Sequence, residues 1–246
     1  MAKRRYTTKR IGGMNWEVHL KGNEADLNIL TEVFESDPLV TKEGDRYILK
    51  TSKLEGVEDS EPAFEIAENT LEIMSGVMKL NQDAFEPVSI VSLISSDGQK
   101  VVSHLTVLRH RGSAEFREQM GLPSWEEDAV FDTNRLITLA DSDKSVHEFL
   151  KRWARGDTWE NMYKILEHIE EDMSGERIHD LGWIKKVNYD DFKGTANSYS
   201  VIGLEARHGS YKDGPNQPMS KPDAKALIQT VCSEWLSKKW EQHNQK

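Results

Sequence analysis

The apolar residues of this chain repeat with two different periods, and the order of those periods constrains the fold more than any other feature. In WEVHLKG, Trp16, Val18 and Leu20 alternate with polar residues, as a strand with one buried face requires. NEADLNILTEVFES then sets Leu27, Leu30, Val33 and Phe34 on one helical face, with Asn23 as a suitable N-cap. PLVTKEGDRYILKTSKL returns to the strand pattern on both sides of Glu43-Gly44-Asp45 and reads as a hairpin. In SEPAFEIAENTLEIMSGVMKL, Phe64, Ala67, Leu71, Met74 and Met78 recur at helical spacing, with Ser60 as the cap and Pro62 in the first turn. EPVSIVSLISSDGQKVVSHLTVLR closes the series as two strands around Asp97-Gly98.

This β-α-β-β-α-β-β order predicts an α+β fold over residues 11–112, two helices on one face of an antiparallel sheet. The architecture expected is a ferredoxin-like two-layer sandwich. A basic tail, residues 1–10, precedes it, and residues 113–135 lose periodicity around Gly121 and Pro123, as a linker does. From 136 to 246 the pattern is helical throughout. SVHEFLKRWAR and DTWENMYKILEHIEEDM form an antiparallel pair broken at Gly156. The last helix opens with Ser220, Pro222 and Asp223 and buries Ala224, Leu227, Ile228, Val231 and Trp235, with Cys232 beside them. His243 falls in a polar tail beyond it. The second half therefore predicts a small helical bundle.

Charge and composition remove several function classes. Hydrophobic residues make up 37% and charged ones 30%, and no apolar run approaches the roughly 20 residues that span a bilayer. MAKRRYTTKR lacks the apolar stretch of a secretory signal, so the expected compartment is the cytoplasm. Cys232 is the only cysteine, which excludes an internal disulfide and a multi-cysteine zinc site. Glu61, Glu65, Glu68 and Glu72 have helical spacing without a histidine and read as a solvated face; His168 lacks the second histidine of a zinc helix. No metal and no cofactor is expected. A net charge of −10 argues against coating nucleic acid, although positive charge concentrates in two places. Arg4, Arg5 and Arg10 in the tail, with Arg109 and Arg111 around His110, are the candidates for touching phosphate.

The segment most like chemistry is TANSYSVIGLEARHGS, with Asn197 and the run Arg207-His208-Gly209. Residues 202–227 resemble the strand-then-RHG opening of histidine phosphatases. That family also needs a second arginine, a carboxylic acid and a second histidine at the phosphate. Only 37 residues follow Gly209, which makes this the least favoured alternative. The helical half, with Asn197, Arg207 and His208 ahead of a final helix, resembles prokaryotic HEPN-like domains. That resemblance implies a bacterial regulatory or phage-defence setting. It also implies metal-independent ribonuclease chemistry: histidine moves the ribose hydroxyl proton and arginine stabilises phosphate charge. Here the arginine and histidine are adjacent, so a loop must converge them. Gly209, Gly214, Pro215 and Pro218 also suit an ordered, turn-rich loop in which Arg207 pairs internally. The leading expectation is a recognition or assembly component with another protein as partner; RNA and a second copy of the chain are further candidates. The ribonuclease is the alternative.

Overall fold

The computed structural model describes residues 16–82, 84–96, 98, 100–102, 132–207 and 214–245. Strand β1 (Trp16–Lys21) buries Trp16, Val18 and Leu20, the alternation expected of it. In α1 (Glu24–Val33) the Asn23 side chain accepts from the Ala25 N–H at 2.9 Å, so the cap forms as its residue type dictates. Strands β2 (Leu39–Glu43) and β3 (Arg46–Lys50) pair in antiparallel register from Leu39–Lys50 to Glu43–Arg46. Helix α2 (Ser60–Asn81) starts at Ser60 rather than after it, because the Ala63 N–H bonds the Asp59 carbonyl. Strands β4 (Ser89–Ser95) and β5 (Lys100–Val102) complete the set.

The sheet order is β2-β3-β1-β4-β5 with every pair antiparallel. A β-α-β-β-α-β chain with β1 between β3 and β4 is the ferredoxin-like arrangement, here extended by β5 at one edge. The Tyr47 hydroxyl donates to Asn28 on α1 at 2.6 Å, tying helix to sheet on the face that also buries Val18 and Leu49. Between His19 and Leu20 the β1–β4 register shifts, and the extra residue, Val91, stands 38% exposed as the outward member of a bulge.

The described residues form two compact units. Those within Met1–Leu71 and Phe85–Glu126 make the first; those within Glu72–Ala84 and Glu127–Lys246 make the second. The second holds α3 (Thr133–Ser142), α4 (Lys144–Ala154), α5 (Trp159–Asp172), α6 (Lys186–Ala196), the single turn α7 (Tyr199–Ile202) and α8 (Lys221–Asn244). Asp132, Asp143, Thr158 and Ser220 each cap the helix that follows with a side-chain oxygen. Phe149 meets Trp235 edge-on at 5.1 Å in the core of this unit. Cys232 is fully buried, and burial pushes its thiol well above its usual range.

His243 corrects the expectation of a polar tail. Helix α8 continues through Asn244, His243 stacks on Trp240 at 5.6 Å, and its Nδ1 lies 3.3 Å from the Ser142 hydroxyl. Arg135 sits over the other partner of that stack, 5.2 Å from the Trp240 ring, so both rings are anchored on α3. No helix among the described residues is long and apolar enough to cross a membrane.

Candidate functional site

Helix α6 ends where Asn197 takes the C-cap position. Its Nδ2 donates back to the Lys193 carbonyl at 2.7 Å, while its Oδ1 is buried with no hydrogen-bond partner among the described residues. The chain then makes α7 and a 3₁₀ turn, Gly203–Glu205. Gly203 takes φ +59° and ψ −132°, a backbone conformation that a side chain would strain, and this reverses the path. The Arg207 N–H returns to the Ala196 carbonyl at 2.9 Å, closing the segment into a compact loop. Residues 199–205 are thus helical turns, not the strand that a histidine-phosphatase opening needs.

The Arg207 guanidinium is engaged from two sides. Nη2 donates to Glu167 Oε2 at 3.2 Å and lies 3.1 Å from Oε1, and the group covers the Tyr163 ring at 4.3 Å. Tyr163, Glu167 and Glu170 recur on one face of α5; Tyr189 and Lys193 share one face of α6. The Tyr189 hydroxyl donates to Glu170 Oε1 at 2.8 Å and accepts from Lys193 Nζ at 2.9 Å. Burial raises the Tyr189 phenol, Lys193 pulls it down, and Glu170 helps hold it above its ordinary value. Burial alone would lower Lys193, yet its bond to Tyr189 and the fields of Tyr163 and Glu170 keep it raised. The His179 ring lies 4.6 Å from Tyr189, its Nδ1 buried without a hydrogen-bond partner among the described residues.

This seam holds a protonated phenol and a charged lysine, so neither is a base at neutral pH. Its chemistry is fastening: Arg207–Glu167 ties the returning loop to α5, Glu170–Tyr189–Lys193 ties α5 to α6, and Arg207 and Lys193 both face the Tyr163 ring between them. Arg207→Gln is expected to lower stability by about 1 kcal/mol, since a half-exposed ion pair and one cation–π contact are lost. A loss of unfolding free energy below about 0.3 kcal/mol in urea would contradict the assignment.

Of the residues singled out in the sequence, Arg207 and Asn197 are brought to the two ends of one loop. Their side chains face different partners, Glu167 and the Lys193 carbonyl. His208, Arg4, Arg5, Arg10, Arg109 and Arg111 lie outside the described residues. Periodicity did not point to Tyr163, Glu167 or Glu170 because they flank an apolar stripe that already accounts for α5. Their i, i+4, i+7 spacing was the available signal.

Two further features belong to the second unit. Leu204, on the 3₁₀ turn, is 93% exposed, and Val201 beside it is 36% exposed. An open groove of about 740 Å³ runs between the segment leading into α6 and the first half of α8; Trp183, Ile184, Met219 and Leu227 form its apolar lining. Lys185, Asp191 and Asp223 stand among the same lining residues. Compared with protein-family models, curated proteins and solved structures, the chain has no match.

Proposed function

We propose that this protein is a recognition and assembly component, in the regulatory or phage-defence setting that the HEPN-like resemblance implies. The observation that carries the reading is Leu204: a large apolar side chain standing almost wholly in solvent on a turn whose following residues are fastened. The next residue, Glu205, pairs with Lys221 at 3.3 Å. Arg207 is held by Glu167 and Tyr163, and its N–H returns to the Ala196 carbonyl before the turn. A turn ordered before association loses little entropy on docking, and a leucine so presented is an anchor for an apolar pocket. The engagement of Arg207 by a carboxylate supports a structural duty for that residue over phosphate binding.

The test is affinity capture from the source organism, reading proteins by mass spectrometry and RNA by sequencing. Wild-type chain is expected to enrich proteins that Leu204→Asp chain does not, with circular dichroism unchanged. Cleavage of RNA in EDTA that disappears in His208→Ala would overturn the reading in favour of the nuclease.

A further inference from the structure

We propose that Leu204 of one copy seats in the groove of a second copy, and the reverse, giving a two-fold dimer. The inference rests on the recognition reading and names its partner. Both parts of the contact are on the same unit. The knob is Leu204; the groove offers Trp183, Ile184, Met219 and Leu227.

Knob and groove also border each other. Lys221, the first residue of α8, reaches Glu205 beside the knob, and the α8 wall of the groove begins at Asp223, two residues further on. A self-complementary patch of this kind is what an isologous interface needs, because a two-fold axis uses every contact twice. A single leucine in a groove falls short of the roughly 1,000 Å² expected of a specific interface, and duplication brings it closer. A foreign partner inserting only a peptide into the groove would leave Leu204 uncovered. A second copy covers both features at once.

The charges suit this occupant. Glu205 and Lys221 flank the knob; Lys185, Asp191 and Asp223 line the groove. Each side carries both signs, so Glu205 has a cation to meet and Lys221 has carboxylates to meet. The association is therefore expected to weaken with salt without disappearing, since the apolar contact is not screened.

Sedimentation velocity from about 1 to about 100 μM, the range in which modest interfaces dissociate, tests the proposal. Wild-type chain is expected to pass from monomer to dimer. Leu204→Ala removes the same burial from both halves and is expected to weaken the dimer roughly 10²–10³-fold. Leu204→Asp and, separately, Ala226→Arg in the exposed groove wall are each expected to be monomeric. Mixed together, those two variants are expected to associate again. In the mixed pair one knob-and-groove contact is intact, and the introduced aspartate meets the introduced arginine across the other. A monomer at every concentration, a dimer that survives both variants, or a mixture that stays monomeric would each overturn the dimer. The recognition reading fails separately, when Leu204→Asp chain captures the same proteins as wild type.

Discussion

Gly76→Ala is expected to destabilise the second unit by about 3 kcal/mol, lowering its melting temperature by about 10 °C. A methyl group at this position would stand 2.2 Å from the Leu150 carbonyl oxygen, 2.8 Å from its carbonyl carbon and 3.0 Å from its Cα. All three are backbone atoms, so no rotamer change relieves the clash. Helix α2 and helix α4 must part, and Val77, Val146 and Leu150, all fully buried, lose contacts when they do. The opposing effect is helix propensity, which favours alanine over glycine by about 1 kcal/mol in an exposed interior. At a buried crossing the steric effect wins. Gly175→Ala is the contrasting substitution in the same unit. Gly175 has φ +81° with nothing within 4 Å of an added methyl, so only backbone strain opposes it, about 1–2 kcal/mol. Thermal unfolding of the two variants side by side checks the ranking. Gly76→Ala proving as stable as wild type would mean that the helices do not meet backbone to backbone.

Gly76 also marks the boundary of what could be read from residues alone. Its place within SEPAFEIAENTLEIMSGVMKL made it an unremarked helix interior, since periodicity reports the face of one element and not what presses on it. The same limit explains α6. Its buried residues are Tyr189, Phe192, Thr195 and Ala196, too few apolar side chains to reveal a stripe, and its helical state rests on packing. By contrast the Asn23 cap, the Gly44-Asp45 turn and the breaks at Gly156 and Ser220 were legible, because each depends on neighbours within a few residues. The two strand pairs adjacent in sequence, β2–β3 and β4–β5, were legible as hairpins for the same reason. In the candidate site, Arg207 was visible as a cation near a histidine, whereas its partner Glu167 lies forty positions away and carries no local sign. Leu204 looked like part of an apolar strand. Exposure at a single position is set by the turn that Gly203 permits, and the hydrophobic pattern holds no trace of it.

Lys239→Met is the second large effect, about 3 kcal/mol, because it removes the cation that bridges Asp143 and Asp172 in a largely buried cluster. Lys239 is 11% exposed; its Nζ donates to Asp143 Oδ2 at 2.9 Å and Asp172 Oδ1 at 2.8 Å. Asp172 is 16% exposed and also accepts from the Trp235 indole at 2.8 Å. His168 joins the cluster without serving as a base for Ser145. Its Nε2 lies 2.8 Å from the Ser145 carbonyl, which can only accept, so Nε2 carries the proton even though the Ser145 hydroxyl stands 3.1 Å from the same nitrogen. A Ser-His-Asp grouping that invites comparison with a catalytic triad is thereby a fastening between α4 and α5. Burial pushes the Asp172 carboxyl up, but bonds from Lys239, Trp235 and Ser145 more than offset it and hold the group below its ordinary value. Burial likewise lowers Lys239, and Asp172 and Asp143 more than offset that, leaving it raised. The signs define a window. A depressed carboxylate contributes stability above its unfolded pKa and loses it as pH falls through the folded value. A raised lysine contributes below its unfolded pKa and loses it as pH rises through the folded value. The cluster is thus stabilising from just above the carboxylate range to just below the lysine range. Urea unfolding at a series of pH values should find wild type and Lys239→Met furthest apart at neutrality and converging as Asp172 is protonated. Adding Asp172→Asn to Lys239→Met should recover part of the loss, because the stranded charge goes with it. A constant gap across pH would show that the lysine acts through its methylenes alone.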